Sequence, residues 1–280
     1  AVWKIINQLK EEGYEIEAVQ NRGYRLLSSP DLLGESEIKS RLHTGWAGKN
    51  LIFHPVTGST NIDAKAAAEE GAPEGTLVVT ERQDAGRGRR GRGWFSPEGC
   101  NLYFTILLRP GCAPDQACTL TLVMALAVAQ AVRELGLDAG IKWPNDVVIA
   151  GKKVCGILTE MSAEPDFIHY VVIGTGVNVN QEAFPEEIAG TATSLRIEKG
   201  ERIARAGLLA SVMAHFESAY ETFCATWDLS GLAADYESLL LNKDRPVRVL
   251  DPKGNFEGTA RGINEKGELL VERQDGRLEY

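Results

Sequence analysis

Gly86-Arg87-Gly88-Arg89-Arg90-Gly91-Arg92-Gly93-Trp94 is the stretch on which the reading of this chain turns. Glycines at near-alternate positions let a backbone approach a ligand closely and adopt positive φ. The arginines between them carry planar forks suited to phosphate and carboxylate oxygens. The spacing Gly86-x-Gly88-x-x-Gly91 formally matches a dinucleotide fingerprint, but that motif must open a helix, and Trp94-Phe95-Ser96-Pro97 follows instead. A kinase loop is excluded because its lysine strand, HRD and DFG elements are absent. A Walker loop is excluded because Arg92 stands at the lysine position. Three readings stay open: nucleotide-phosphate binding in a domain of another type, an RGG-like RNA-binding patch, and a solvated basic turn.

The chain around this loop is acidic, with a net charge of −9 over 280 residues. Such a balance makes a poor general polyanion binder, so a locally basic loop points to a small anionic ligand. The length allows one large domain or two or three smaller ones. The five cysteines are scattered and never spaced CxxC, and the four histidines form no HExxH, which argues against a disulfide framework or a protein-held metal. No apolar run approaches the roughly 20 residues of a membrane span. The longest, Leu120–Val132, is interrupted by Gln130 and reads as a buried helix. Ala1-Val2-Trp3-Lys4 opens no signal peptide, so a cytoplasmic enzyme is the expectation, with no membrane partner.

Val2, Ile5, Ile6 and Leu9 follow helical spacing up to Gly13, and Tyr14–Val19 and Gly23–Leu27 read as two strands about the turn Gln20-Asn21-Arg22. One helix and a two-stranded wing bury no core alone, so a missing upstream part is expected. Ser28-Ser29-Pro30 reads as a linker. Next come a helix over Asn61–Glu70, capped by Ser59 or Thr60, and strands at Thr76–Glu81 and Leu102–Leu108. Pro114–Leu135 reads as one apolar helix, buried on most sides. Strands are expected at Ile141–Trp143, Val147–Ala150, Val154–Met161 and His169–Asn180, and amphipathic helices at Ile203–Trp227 and Leu232–Leu241. From Arg245 the texture becomes short strands between Gly- and Asp-rich turns.

Four further motifs are weak one by one. Lys142-Trp143-Pro144-Asn145-Asp146 sets a cation, an amide and a carboxylate where Pro144 forbids a regular central strand. It suits a polar ligand or a magnesium-bound phosphate, or equally a solvated turn. Lys153 opens the next strand and is placed to pair with a carboxylate or a phosphoryl oxygen. Asn178 and Asn180, at period two, are expected on one side of a strand, with amides that need partners. Gly58-Ser59-Thr60-Asn61 is a helix cap or a set of hydroxyl and amide donors for a polar heterocycle.

Taken together, Gly58–Asn61, Gln83, Gly86–Arg92 with Trp94, Lys142–Asp146, Lys153–Gly156 and Gly176–Asn180 stand in the order and spacing of biotin–protein ligases. The chain resembles most closely the bifunctional form that also represses the biotin operon. The resemblance implies an α+β fold: a central mixed sheet with helices on one face as the catalytic domain (29–242), preceded by part of a winged helix-turn-helix (1–28) and followed by a small β-barrel (243–280). It implies biotin and ATP as substrates, Mg2+ carried on the ATP phosphates, and a biotin carboxyl carrier protein, a subunit of acetyl-CoA carboxylase, as acceptor. A homodimer is implied too, with operator DNA as a partner of the intact protein.

By the same resemblance, Arg87, Arg89, Lys153 and Asp146 are the catalytic candidates. Ser59, Thr60, Asn61 and Gln83 hold biotin, with Arg87, Gly88, Arg89 and Lys153. Arg89, Arg90, Arg92, Trp94, Lys142, Asn145, Asp146 and Asn178 face the nucleotide. A ligase for lipoate or another acyl acid is the rival reading, though the polar Ser59/Thr60/Gln83 group suits a ureido ring better than a dithiolane. A non-enzymatic winged-helix regulator is the other, and it leaves the arginine loop and Lys142–Asp146 unexplained.

Overall fold

The computed structural model describes residues 2–11, 13–20, 22–28, 31–250 and 254–280; Ala1, Asn21 of the expected turn, and Ser29 and Pro30 of the expected linker lie outside them. The helical stripe of Val2, Ile5, Ile6 and Leu9 forms α1 (Val2–Glu11), and Gly13, at φ +94°, turns the chain out of it. β1 (Glu15–Val19) and β2 (Gly23–Ser28) pair as an antiparallel ribbon. Val2, Trp3, Ile5, Leu26 and Leu27 of this unit are exposed.

The larger unit opens with α2 (Glu35–Arg41), β3 (Leu51–Thr57), α3 (Thr60–Glu69), β4 (Leu77–Gln83) and β5 (Leu102–Leu108). The short α4 (Pro114–Ala117) and the apolar α5 (Leu120–Glu134) lead to β6 (Gly140–Lys142), β7 (Asp146–Ile149), β8 (Lys152–Glu164) and β9 (Phe167–Val177). α6 (Glu186–Ala189), α7 (Leu195–Lys199), α8 (Arg205–Thr226) and α9 (Ala233–Leu239) complete it. The expected small β-barrel is, among the described residues, an open four-stranded antiparallel sheet of β10 (Pro246–Val249), β11 (Phe256–Ile263), β12 (Leu269–Glu272) and β13 (Leu278–Glu279), whose end strands do not pair.

The central sheet has seven strands in the order β3-β4-β5-β9-β8-β7-β6. Only β3 and β4 run parallel, which makes it mixed. Ala150 and Gly151, both at positive φ, close the β7–β8 hairpin with the backbone twist that two-residue turns require. Alternation along the strands fills both faces. Leu77, Val79, Ile106 and Ile173 join the core under α5 and α8, whereas Val78, Leu107 and Val172 pack beneath Ala64 and Ala68 of α3. Helices therefore lie on both faces, which corrects the one-face expectation. α3 is short and small-residue, so it covers only part of its side and leaves the rest open as a site.

α5 lies between the sheet and α8, and Leu120, Val123, Met124, Leu126 and Val128 are buried. Truncating one such leucine to alanine costs about 2–5 kcal/mol. The expected continuous helix from Pro114 is broken at Cys118-Thr119, so α4 and α5 are separate. Pro114–Glu134 is long and apolar enough, by length and composition, to cross a membrane, contrary to the expectation; here α4 and α5 pack into the core. Arg205 ties the layers together. Its guanidinium, 2% exposed, bonds both carboxylate oxygens of Glu81 on β4 (2.6 and 3.1 Å) and reaches Asp31 at 2.9 Å. The C-terminal sheet docks beside the β6–β7 turn, where Trp143 Nε1 donates to Gly267 O at 2.9 Å.

Candidate active site

The register of the sheet builds the site's floor. Tyr103, Gly176, Gly156 and Asp146 stand side by side on β5, β9, β8 and β7, and Thr105, Gly174 and Leu158 form the next row on the same face. Three of these positions lack a Cβ, and each is needed empty. A Cβ at Gly174 would collide with Asn61 Oδ1, one at Gly176 with the Trp94 indole, and one at Gly156 with Trp94 Cζ3 at 2.8 Å. Trp94 thus lies flat over the Gly156–Gly176 pair. Its Nε1 is buried without a partner, and Lys153 Nζ sits 5.3 Å from the ring centre.

One end of the cleft is neutral and polar. Ser59 starts α3 but makes no side-chain cap, and neither does Thr60, which corrects the capping expectation. The α3 terminus instead uses Gln83 at the end of β4: its Oε1 accepts the Thr60 N–H at 3.0 Å, and its Nε2 donates to Ser96 Oγ at 3.1 Å. Ser59, Thr60 and Asn61 are buried. Asn61 Nδ2 donates to Glu160 Oε2 at 2.7 Å, and Lys65 Nζ meets the other oxygen at 2.6 Å. Burial pushes the Glu160 carboxyl up, but Lys65 and the Asn61 amide outweigh it and hold it below the ordinary carboxylate value.

The other end is cationic. The arginine loop is a tight hairpin: Trp94 N bonds Gly86 O at 2.9 Å and Gly88 N bonds Arg92 O at 2.7 Å. Its tip turns through Arg90 and Gly91, at φ +58° and +72°. Arg89 Nη1 donates to Asn145 Oδ1 at 2.8 Å, which pins the hairpin against the β6–β7 turn. Lys153 Nζ pairs with Asp146 Oδ1 at 2.6 Å. The cleft between these ends is narrow, with a volume of about 50 Å3. It fits a ligand with a neutral hydrogen-bonding head and an anionic tail, and the fixed cations stand where charge on that tail is stabilised.

Of the residues singled out in the sequence, Ser59, Thr60, Asn61, Gln83, Arg87, Gly88, Arg89, Trp94, Asn145 and Lys153 line this one cleft. Asp146 joins them through Lys153. Arg90 borders a neighbouring groove of about 450 Å3, which runs on past Arg89 toward Lys266 of the C-terminal sheet. Arg92 and Lys142 are exposed outside the lining. Asn178 and Asn180 do not share a strand face, because β9 ends at Val177. Asn178 donates to Thr193 O and Asn180 to Asp31 and Ile203 O, so both amides serve loop packing. Sequence reasoning missed the floor of Gly156, Gly174 and Gly176 as a unit; its signal was glycine inside strand patterns.

Comparison with known proteins agrees with this geometry. Residues 53–178 match the model of the biotin/lipoate A/B protein ligase family, and residues 244–280 match that of the biotin protein ligase C-terminal domain. The bifunctional ligase/repressor BirA of Bacillus subtilis is 44% identical over 99% of this chain and 86% of its own length. A biotin--[acetyl-CoA-carboxylase] ligase of Mycobacterium tuberculosis is 36% identical over 82% of this chain and 85% of its own. Among solved structures, the biotin protein ligase of Aquifex aeolicus in complex with biotin and ATP superposes with a TM-score of 0.72 at 34% identity, covering 82% of this chain and 95% of that one.

Proposed function

The chain belongs to the biotin/lipoate A/B protein ligase family, and from that premise we infer that it is a biotin–protein ligase. It activates biotin with MgATP and transfers the biotinyl group to a lysine of a biotin carboxyl carrier protein. The observation that carries this reading is the single cleft lined both by the neutral polar Thr60 and Gln83 and by the cations Arg87, Arg89 and Lys153.

In the first half-reaction a biotin carboxylate oxygen attacks the α-phosphorus of ATP, a P–O bond forms, and the bond to pyrophosphate breaks. We assign Ser59, Thr60, Asn61 and Gln83 to the ureido head, and Arg87, Arg89 and Lys153 to the carboxylate and α-phosphate. Arg90 and Arg92 are assigned to the loop's anchoring and the outer phosphates. Trp94 on its glycine floor is assigned to the adenine side. Bound Mg2+ supplies charge neutralisation on the phosphates. Asp146 and Asn145 offer few oxygen ligands, which fits a cation that brings phosphates as its own ligands. In the second half-reaction the carrier lysine attacks the mixed anhydride carbonyl; the C–N bond forms, AMP leaves and the amine loses a proton. Asp146, beside Lys153, is placed to orient that amine. The arginine hairpin, tethered through Arg89 and Asn145, keeps water from the anhydride until then.

A biotin-dependent ATP–pyrophosphate exchange assay tests the first step. Exchange with biotin and none with lipoate is the expected result; exchange with lipoate alone hands the site to the rival acyl acid, and none with either refutes it.

We further assign residues 1–28 to a DNA-binding unit, 29–242 to catalysis and 243–280 to the C-terminal domain. The intact protein, a cytoplasmic homodimer in this reading, represses its operon with biotinyl-AMP as corepressor. Operator affinity that rises with the adenylate and falls steeply with salt is the expected signature.

A further inference from the structure

The polar end of the cleft contains a proton-ordering problem with one consistent solution. Thr105 on β5 is fully buried, and its Oγ1 lies 2.8 Å from Thr60 Oγ1 and 2.7 Å from Asn61 Oδ1. One hydroxyl hydrogen cannot be given to both. The Asn61 amide is oriented from its far side, where a carboxylate oxygen of Glu160 at 2.7 Å accepts only from an NH2 group. That leaves Oδ1, a pure acceptor, facing Thr105. Thr105 therefore donates to Asn61, and the Thr60–Thr105 contact is a hydrogen bond only if Thr60 donates to Thr105. The alternative acceptor for the Thr60 hydrogen, Gln83 Oε1, is farther at 3.2 Å and already receives the Thr60 backbone N–H. Sending the hydrogen there would leave two hydroxyl oxygens 2.8 Å apart with no proton between them.

We propose that Thr105 is a positioning residue that makes the Thr60 hydroxyl a hydrogen-bond acceptor toward the cleft, through a chain ordered from the Lys65–Glu160 ion pair. Lys65 holds one oxygen of Glu160, Asn61 gives its NH2 to the other, Thr105 gives its hydrogen to Asn61, and Thr60 gives its hydrogen to Thr105. Only lone pairs of Thr60 remain for a ligand, so this corner selects a ring that carries an N–H. The low carboxyl pKa of Glu160 keeps the chain's anionic end charged at neutral pH. The inference rests on biotin as substrate, whose ureido ring has N–H donors that a dithiolane lacks, and it names the residue through which that preference is enforced.

The test is calorimetric titration of the full chain with biotin and with a ring-N-methylated biotin. The two affinities are compared in wild type, Thr105→Val, Thr105→Ser and Glu160→Ala, with ATP affinity as the internal control for folding. Thr105→Val removes the donor without changing the side chain's shape and leaves Asn61 Oδ1 unsatisfied. Biotin binding should weaken roughly tenfold or more, while the methylated analogue is affected much less, so the ratio between them collapses. Thr105→Ser should restore the wild-type ratio, and Glu160→Ala should narrow it by freeing the Asn61 amide. An unchanged ratio in Thr105→Val or in Glu160→Ala, or no restoration by Thr105→Ser, overturns the proposal. Failure of wild type to bind biotin refutes the proposed function, and the relay with it, and is told apart by that first titration.

Discussion

Replacing Gly176 with alanine tests how the cleft is built. β9 is hydrogen-bonded to β5 on one side and β8 on the other, so its backbone has no room to retreat from an added methyl. That methyl would stand 2.5 Å from Trp94 Cε2 and 3.0 Å from Cζ2, and closer still to Nε1. Ordinary carbon contacts lie at about 3.5–4 Å, so the indole must withdraw by about 1 Å or leave its seat. Overpacking of this kind costs about 1–3 kcal/mol, and at this chain length each kcal/mol lowers Tm by roughly 2–4 °C. Because the same surface is assigned to the adenylate, ATP affinity should fall by about tenfold, the equivalent of about 1.4 kcal/mol. Thermal melting, tryptophan fluorescence and calorimetric titration with ATP read the three effects. Gly190→Ala is the control: its φ is −74° and nothing lies within 4 Å of the added carbon, so a change within about 0.5 kcal/mol is expected. If Gly176→Ala melts and binds ATP as the control does, the floor has no such role.

Arg205→Met strands the Glu81 carboxylate, 17% exposed, without its cation and leaves Asp31, 11% exposed, with Arg202 at 3.8 Å as its remaining cation. A loss of about 3–5 kcal/mol in urea unfolding is expected, and a loss below about 1 kcal/mol would show that the network stabilises little. Glu217 gives a pH-dependent case. Burial pushes its carboxyl up, but the N–H groups of Ala47, Trp46 and Gly45 outweigh it and hold it below the ordinary value. Its stabilisation is complete above the unfolded pKa of about 4.3 and is lost as pH falls through the lower folded value. Wild type should therefore exceed Glu217→Gln in stability at pH 7, with the gap closing in acid; a gap that does not change with pH contradicts the assignment. Arg89→Gly removes both a cation and the tether to Asn145. It should release biotinyl-AMP and label bystander lysines; retention as tight as wild type would remove the hairpin's shielding role.

Much of this was legible because local chemistry and fold agree. Leu102–Leu108 is an unbroken run of strand formers and is β5 to the residue. The arginine hairpin, Gln83 and Lys153 were legible because few structural needs place such groups at such spacing. β3 was hidden by Pro55, which it tolerates because it is the sheet's edge strand. Period two misled at Asn178 and Asn180, since alternation holds only within a strand and β9 stops one residue earlier. Pro114–Leu135 reads as one apolar helix, and nothing in its composition marks the break at Cys118-Thr119. The glycine floor and Thr105 belong to a different class. Gly156 and Gly176 become neighbours only through the β8–β9 register, and a threonine inside an apolar run carries no sign of the two side chains it will touch. Arg205 is similar: in sequence it is one charge at a helix start, and its burial follows from which layers enclose it.

The most direct measurement of the central claim mixes the protein with ATP, radiolabelled biotin and a biotin carrier domain. One labelled lysine on the carrier, formed only when ATP is present and competed by unlabelled biotin but not by lipoate, is the predicted outcome. Label that reaches the carrier without ATP, or a carrier left unlabelled under saturating substrates, would contradict it.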